Sequence, residues 1–481
     1  LNHTPAGKYG RVVAGKNGIL RFENGDATPL RFQGTHPAFS WRYPWLHGSR
    51  EEFDRNVGSW AEAVRRQGYN AIRLSAFDEW GMRKSKKVLE IPAESMDRLD
   101  KMVAELKKQG IYIEFPLMFS SLFRKPHEKV NTSLSKLMMY LGHPRERDAF
   151  RTITGEIMNH VNPYTNAAWK DEPTIAIWEC FNEQYYGFIL IPADFEKKYP
   201  EEAAFFRKRW SEFLQKKYAG KPDSALPEAL RGGKLAHPPL PFQIRSLRQD
   251  YNEFCYECIR ETHRFYLTTC RSFGYRGLVA NNPTSSLFYS RAIWTELPMV
   301  DSHNYYAHPS NLLNRGSKCI SDSSVAEQTP AFRGLNNQRL YGFPMWVGEY
   351  NHCFWNPYQH ELPLAFTAYA ALNGYSGLMI HSDTVELERP YNLIRNFEVS
   401  DSPVARAGEF LAAMLFRRGD VKTSPHRVVL AIPANYQKGI PGEQSKLALL
   451  TGFATAHPGL PRFAEIPEPD APHLMLTPSG K

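Results

Sequence analysis

Eight short apolar runs, most of them ending in polar residues and separated by amphipathic helical stretches, predict an α/β chain folded as a (β/α)8 TIM barrel. Three observations carry this reading. The unit of helix, glycine and strand recurs: a helix over Glu51 to Gln67 closes at Gly68 before the run Asn70–Ser75, and a helix over 95–109 closes at Gly110 before Ile111–Phe115. Such alternation means parallel strands joined by right-handed crossovers. The run Ile175–Gln184 passes from apolar residues to an Asn-Glu pair, and a parallel strand covered on both faces keeps its polar groups for its end. Strand starts fall near 30, 70, 111, 175, 276, 299, 345 and 377, which is a full barrel count.

In chain order, residues 1–29 hold two strand-like pieces, Arg11–Val13 and Ile19–Phe22, separated by turn residues, and read as a hairpin covering one end of the barrel. The first core strand is Leu30–His36, followed by a loop carrying Trp41, Tyr43 and Trp45. The helix over 51–67 repeats Phe53, Val57, Trp60 and Val64 at three- and four-residue spacing. Arg73 stands inside the second strand, where a buried guanidinium needs acceptors: a catalytic carboxylate or a structural ion pair. Residues 116–150 form an excursion with Phe119, Phe123 and Tyr140 suited to a cleft wall, and 151–170 read as helix. The stretch from Glu183 to the next strand is too long for one crossover, so about 185–245 is an insertion beside the cleft, followed by a helix near 250–272. The barrel spans 30–400. Residues 401–481 read as a small helix–strand subdomain, whole or cut short.

The 481 residues carry a net charge of +9, but no run of five basic residues occurs and the basic positions are interspersed with acidic ones, which argues against nucleic-acid binding. A basic cleft would still favour anionic substrates. No stretch of 18 apolar residues occurs, so no membrane span is expected. Six cysteines do not make a disulfide framework; Cys255 and Cys258 have metal-ligand spacing near His263 and Cys270, yet without a second close pair they read as helix residues or one disulfide. No cofactor or metal is called for, and nothing specifies an oligomeric state. The chain begins at Leu1 rather than Met, and a secreted or periplasmic location is favoured if a leader was removed. Aromatic residues reach 13%, most of them expected in the core, and aromatic faces also suit sugar rings.

Two carboxylates occupy equivalent places, Glu183 after the fourth strand and Glu349 at the end of the seventh. Chemistry in a barrel gathers at the C-terminal strand ends. A pair of glutamates across one mouth meets the requirement of glycosidic bond cleavage, in which one carboxyl is protonated and the other ionised.

Trp178-Glu179-Cys180-Phe181-Asn182-Glu183 resembles the acid/base motif of clan A retaining glycoside hydrolases, especially family 5 with its mannanase-like and cellulase-like relatives, and Trp346-Val347-Gly348-Glu349-Tyr350 resembles their nucleophile motif. His303 and Tyr305 fall on the His-x-Tyr position after strand six, Arg73 on the strand-two arginine and Asn182 on the asparagine before the acid/base. The resemblance implies a covalent glycosyl-enzyme on Glu349, with Glu183 as acid and then base, and carboxyl groups about 5–5.5 Å apart rather than about 6.5–9.5 Å. It further implies that Tyr305 and Arg73 keep Glu349 ionised, that Asn182 holds the sugar 2-hydroxyl, and that His303 positions the acid/base or a substrate hydroxyl.

One departure bears on specificity. Many members carry a tryptophan platform after strand eight, where this chain has His381-Ser382-Asp383. Asp383 is then a candidate ligand for a sugar hydroxyl or a helix cap. Trp41, Trp45, Trp80 and Trp355 are alternative platforms, and His36, Asn281 and Asn282 are candidate polar subsites. Galactosides, glucosides and mannosides all fit, as do pocket and groove. The leading expectation is retaining hydrolysis of β-glycosidic bonds in an oligo- or polysaccharide. The alternatives are a transglycosylase of the same fold, a non-catalytic carbohydrate-binding barrel, and another barrel enzyme, for which no Schiff-base lysine or His/Asp metal cluster stands at the strand ends.

Overall fold

Runs of Ile, Val, Leu and Phe four to eight residues long have room for strands but not for helices, and here they form one parallel sheet. The computed structural model describes residues 2–478 apart from 16–17, 27, 40–42, 86, 124–130, 243, 282–295, 313, 388–394, 434–435, 437–441 and 458–468. The strands are β1 (Phe32–His36), β2 (Ala71–Arg73), β3 (Tyr112–Met118), β4 (Ile175–Phe181), β5 (Leu278–Ala280), β6 (Val300–Tyr306), β7 (Met345–His352) and β8 (Gly377–His381). Their order is β6-β7-β8-β1-β2-β3-β4-β5, every ladder parallel. The ladder from Gly377↔Phe32 to His381↔His36 joins the last strand to the first and curls the sheet into a nearly closed (β/α)8 barrel.

The surrounding helices follow from their patterns. In α1 (Arg50–Arg66), Ser49 caps the N-terminus by accepting from the Glu52 N–H at 3.1 Å, and Phe53, Val57, Trp60, Ala61 and Val64 make one buried stripe. The four larger of these side chains, at roughly 1.5–3 kcal/mol each, far outweigh the cap's ~1 kcal/mol, so packing rather than capping fixes the helix. The others used here are α2 (Ala93–Lys108), α3 (Thr132–Tyr140), α4 (Pro144–Asn159), α5 (Pro200–Lys217), α6 (Arg248–Ser272), α7 (Pro330–Asn336), α8 (Leu362–Asn373) and α9 (Pro403–Arg418). The helix expected over 151–170 thus starts earlier and stops at Asn159, where the chain turns into a two-stranded hairpin.

The inserted segment after β4 builds a second apolar cluster: Phe206, Trp210 and Leu214 of α5 pack with Phe254 and Ile259 of α6 and with Leu137 and Met138 of α3. Cys255, Cys258 and Cys270 lie buried in α6, none of the six cysteines is in a disulfide, and no candidate metal-ligating group among the described residues includes a cysteine. At the opposite end, the hairpin of Val12–Ala14 and Leu20–Phe22 packs on Phe32, Tyr112, Leu278 and Trp346 at the strand starts and stoppers the barrel's N-terminal mouth.

The C-terminal region departs from a separate appendage. Helix α9 is the eighth barrel helix: it packs against α8 and β1, and its Glu409, fully buried, accepts from Gln33 Nε2 at 3.2 Å and from the hydroxyls of Tyr69 and Tyr350 at 3.0 and 3.1 Å. Beyond it, β9 (His426–Ala431) pairs parallel with β10 (Gly452–Ala456) and antiparallel with β11 (His473–Pro478). Phe453 of β10 ties this sheet to the barrel, its N–H donating to Asn373 Oδ1 and its carbonyl accepting from Asn336 and Arg339.

Candidate active site

Alternation along a strand puts Asp301, His303 and Tyr305 of β6 on one face, toward the barrel axis. On β7 the register breaks: Ser302 pairs with Val347 but His303 pairs with Glu349, so Gly348 is an extra residue. A bulge of this kind re-aims the next side chain, and here it turns Glu349 into the mouth. Only glycine fits, because a Cβ at residue 348 would lie 2.8 Å from His303 Nε2 and 2.9 Å from Asp301 Oδ1. Glu183 follows β4 with a left-handed backbone, φ 45°. Ala76, Ala307 and Asp383, just past β2, β6 and β8, share that conformation at φ 62°, 55° and 56°.

Beneath the mouth lies a buried charged layer centred on Arg73, which has no exposed surface. Its guanidinium donates to both oxygens of Glu179 at 2.7–2.9 Å, to Glu349 Oε1 at 2.5 Å and to Asn182 Oδ1 at 2.9 Å. Glu114, its partner across the β2–β3 ladder, stands 3.8 Å away and accepts from Trp346 Nε1 at 2.7 Å. Glu349 is held at both oxygens: the Tyr305 hydroxyl donates to Oε2, and His36 Nδ1 lies 3.1 Å from Oε1. His36 in turn contacts Ser75 Oγ through Nε2 and His381 Nδ1 at 3.0 Å. His303 Nδ1 sits between the two candidate catalytic groups, 3.4 Å from Glu183 Oε1 and 3.8 Å from Glu349 Oε2.

The electrostatics differ from group to group. Burial works to raise Glu349, but His303, His36, His381 and Arg73 oppose it and hold the carboxyl well below its ordinary value. Glu114 is pushed well up by burial and by the neighbouring charges of Asp301 and Glu179. Burial takes His36 down to about 3, so its contact with Glu349 is not an ion pair at neutral pH, and its Nδ1 also lies 3.2 Å from the Arg73 guanidinium. His303 moves the other way: burial lowers it, yet Glu349 and the bond to Glu183 raise it above its ordinary value.

A cavity of about 490 Å³ opens above this layer, within the usual range for small-molecule sites. Glu183, Glu349, His36, His303, Tyr305 and His381 line it. Arg73 and Asn182 lie behind the lining, joined to it through Glu349 and to each other. Asn281 is buried too, accepting from the Phe181 N–H and donating to Gln184, so it braces the end of β4 rather than facing the cavity. Asp383 accepts from the Ala38 N–H at 2.7 Å and from Ser382 Oγ; this fully buried carboxyl ties the loops after β1 and β8 and does not reach the cavity.

The tryptophan platforms need correction. Trp45 and Trp80 are core residues, 1% and 3% exposed: Trp45 packs on Phe53 and Trp60, and Trp80 on Phe39 and Phe77, so neither offers a face to a ligand. Trp355 is 45% exposed but does not line the cavity. Trp41 and Asn282 lie outside the described residues. The aromatic walls are instead Phe119, Tyr185, Tyr186 and Phe397, with the Tyr185 and Tyr186 rings stacked at 4.4 Å. Among the residues that sequence reasoning passed over are Glu179, Asp301 and Lys136. The first two had the signal that marked Arg73, a charge inside an apolar strand. Lys136 of α3, buried against the rings of Phe181 and Tyr186, is lowered to about 8 by burial and carried no such mark.

Among the described residues, three groups of side chains bring metal-ligating atoms within 4.8 Å of one another: His36, Glu349 and His381; Glu179, Asp301 and His303; Glu183, His303 and Glu349. Each contains a carboxylate bonded to Arg73 at 2.9 Å or less, so an ion there would meet a fixed positive charge. The donor set does not fit a resident metal. Among the described residues no helix is long and apolar enough to cross a membrane.

No family model matches the sequence, and no curated protein matches it significantly. Similarity emerges at the level of solved structures. The endo-1,4-beta-mannanase from Rhizomucor miehei superposes with a TM-score of 0.52 at 14% identity, covering 85% of this chain and 99% of that one. The beta-galactosidase from Rahnella sp. R3 gives 0.58 at 11% identity over 92% of this chain and 66% of that one, and the beta-galactosidase from Marinomonas ef1 gives 0.54 at 12% over 84% and 64%. At these identities the likeness is one of fold: the chain shares its (β/α)8 barrel with these proteins.

Proposed function

We propose that the protein is a retaining β-glycoside hydrolase of clan A type, with Glu349 as nucleophile and Glu183 as acid/base. The observation that carries the reading is the pair itself: one oxygen of each carboxylate lies within 4.8 Å of the other across the cavity, with His303 between them. That closeness supports direct attack on the sugar, since inversion uses the wider gap that an intervening water takes. The barrels it resembles include a beta-mannanase and two beta-galactosidases, in keeping with this chemistry.

In the first half-reaction the Glu349 carboxylate forms a bond to the anomeric carbon while the glycosidic C–O bond breaks. The leaving oxygen takes the proton from Glu183. In the second half, Glu183 removes a proton from water, the water oxygen bonds the anomeric carbon and Glu349 departs as carboxylate. Keeping Glu349 ionised is the task of Arg73 and Tyr305. With His381 and Ser382 at the cavity wall after β8, the sugar's apolar face falls to Phe119, Phe397 and the tyrosine pair.

The test is a panel of β-linked aryl glycosides, oligosaccharides and polysaccharides run on the wild type, Glu349→Ala and Glu183→Ala. Glu349→Ala is expected to abolish turnover. Glu183→Ala should lose about 10²–10⁴-fold on poor leaving groups and far less on dinitrophenyl glycosides, whose departure needs no proton. Full activity in Glu349→Ala would refute the assignment. Binding without turnover across the panel would replace it with a binding barrel.

A further inference from the structure

The β6 residue one layer below His303 has a part in the site that the catalytic pair alone does not explain. Asp301 is buried, and one of its oxygens, Oδ1, accepts the Gly348 N–H at 2.9 Å. The other, Oδ2, has no hydrogen-bond partner, and neither has the buried Nε2 of His303. Both groups converge on the missing side chain of Gly348, where a Cβ would stand 2.8 Å from His303 Nε2 and 3.2 Å from Asp301 Oδ2. Two unpartnered buried polar groups, a potential donor and an acceptor, therefore border the same glycine at the bulge. Leaving a buried polar group unmet is costly, and joining the two removes both penalties.

We propose that Asp301 is a positioning residue, the buried counter-charge that keeps the His303 imidazole a two-proton cation directed at Glu183 and Glu349. The inference rests on the glycosidase reading for its consequence but not for its geometry. With Nε2–H turned to Asp301, Nδ1–H is fixed on the gap between the two glutamates, 3.4 Å from one and 3.8 Å from the other. That placement serves both half-reactions. Before attack the negative charge is on Glu349 and the proton on Glu183; in the glycosyl-enzyme Glu349 is esterified and Glu183 carries the charge. The pair holds one negative charge in each state, and a single fixed cation nearly equidistant from both stabilises either.

The groups around His303 set the balance. Glu183 and Glu179 face it from the β4 side, Glu349 from β7, Asp301 and Tyr305 from β6, Arg73 from β2 and His381 from β8. Among the carboxyls, Asp301 is raised to about 7, first by burial, while the His303 charge draws it down; each member of the pair thus favours the charged form of the other.

The experiment is a pH titration of histidine ¹³Cε1 signals in the intact protein, with the His303 signal identified by its loss in His303→Gln. In the wild type its midpoint is expected above the ordinary histidine value of about 6.5. In Asp301→Asn it should fall by about 1 unit. The alkaline limb of kcat/KM should fall with it, while the rate at lower pH is largely kept. Should Asp301→Asn not fold, Asp301→Ser, which keeps an acceptor for the Gly348 N–H without the charge, makes the same comparison. A wild-type midpoint at or below the ordinary value, or one unmoved by the substitution, overturns the proposal. The titration needs no substrate, so an inactive protein with a shifted His303 would refute the glycosidase reading alone, and an active one with an unshifted His303 would refute only the role of Asp301.

Discussion

Removing Arg73 tests the buried charged layer independently of any substrate. In Arg73→Met the side-chain volume is roughly kept and the charge is lost, leaving Glu179, fully buried, without the guanidinium that now donates to both its oxygens. Stripping one partner from a buried ion pair costs about 3–5 kcal/mol, because the other charge stays out of water. An unfolding entropy of about 2.1 cal/mol/K per residue, over 481 residues, is about 1 kcal/mol/K, so a cooperative transition should drop by about 3–5 °C. Glu349 adds a pH signature. Its folded value is depressed, so it contributes stability above its unfolded value near 4.5 and loses it as pH falls. Arg73 is one of the charges responsible, and without it that contribution shrinks. Calorimetry at neutral pH on the wild type, Arg73→Met, Glu179→Gln and the double variant measures the coupling. The double variant should recover part of the single loss, since neutralising Glu179 as well leaves only Glu349 without the guanidinium. If Arg73→Met melts with the wild type, or the double variant loses the sum of the singles, Arg73 is not the counter-ion described here.

Two further outcomes follow from groups on either side of that layer. Tyr305→Phe deletes a hydrogen bond to an ionised carboxylate, worth about 1.5–3 kcal/mol, so kcat/KM should fall about 10- to 150-fold with the melting temperature nearly unchanged; an effect under twofold would remove Tyr305 from the catalytic apparatus. Glu409, raised to about 7 chiefly by burial, has a folded value above its unfolded one, so its stabilisation is complete below about 4.5 and is lost as pH rises to about 7, at most about 3 kcal/mol. Glu409→Gln should flatten that part of the stability–pH curve, and an unchanged curve would show that Glu409 does not titrate there.

The strand positions were legible because a parallel strand buried on both faces must be an unbroken apolar run, and Gly68 and Gly110 mark where the preceding helices stop. Glu183 and Glu349 stood out for the same reason, as charges where such runs end. Glu179 was equally visible, following Ile175 and Ile177 at period two on one face, but its proximity to the Asn-Glu pair masked it. The tryptophans misled because an aromatic residue in a loop has no periodicity to say which way it faces; Trp45 turned into the α1 packing and away from the mouth. Helix α9 read as part of an appendage because nothing local distinguishes an eighth barrel helix from the first helix of a new unit. Its role is set by Gln33 and Tyr69, more than 330 residues earlier, whose side chains meet Glu409.

Left-handed residues lie just past β2, β4, β6 and β8, and Trp355, at φ 85°, lies just past β7. A non-glycine residue at positive φ costs about 1–2 kcal/mol, so Ala76, Glu183, Ala307 and Asp383 together hold about 4–8 kcal/mol, comparable with the net stability of an entire domain. The stoppered end carries apolar packing, and none of these four residues lies there. In native-state hydrogen exchange the amides at the cavity rim are therefore expected to open before those at the strand starts, with the barrel loosening from the top down. A chain weakened in its core is then expected to lose the geometry of Glu183 before its fold, so that the proposed activity fades at milder denaturant than secondary structure.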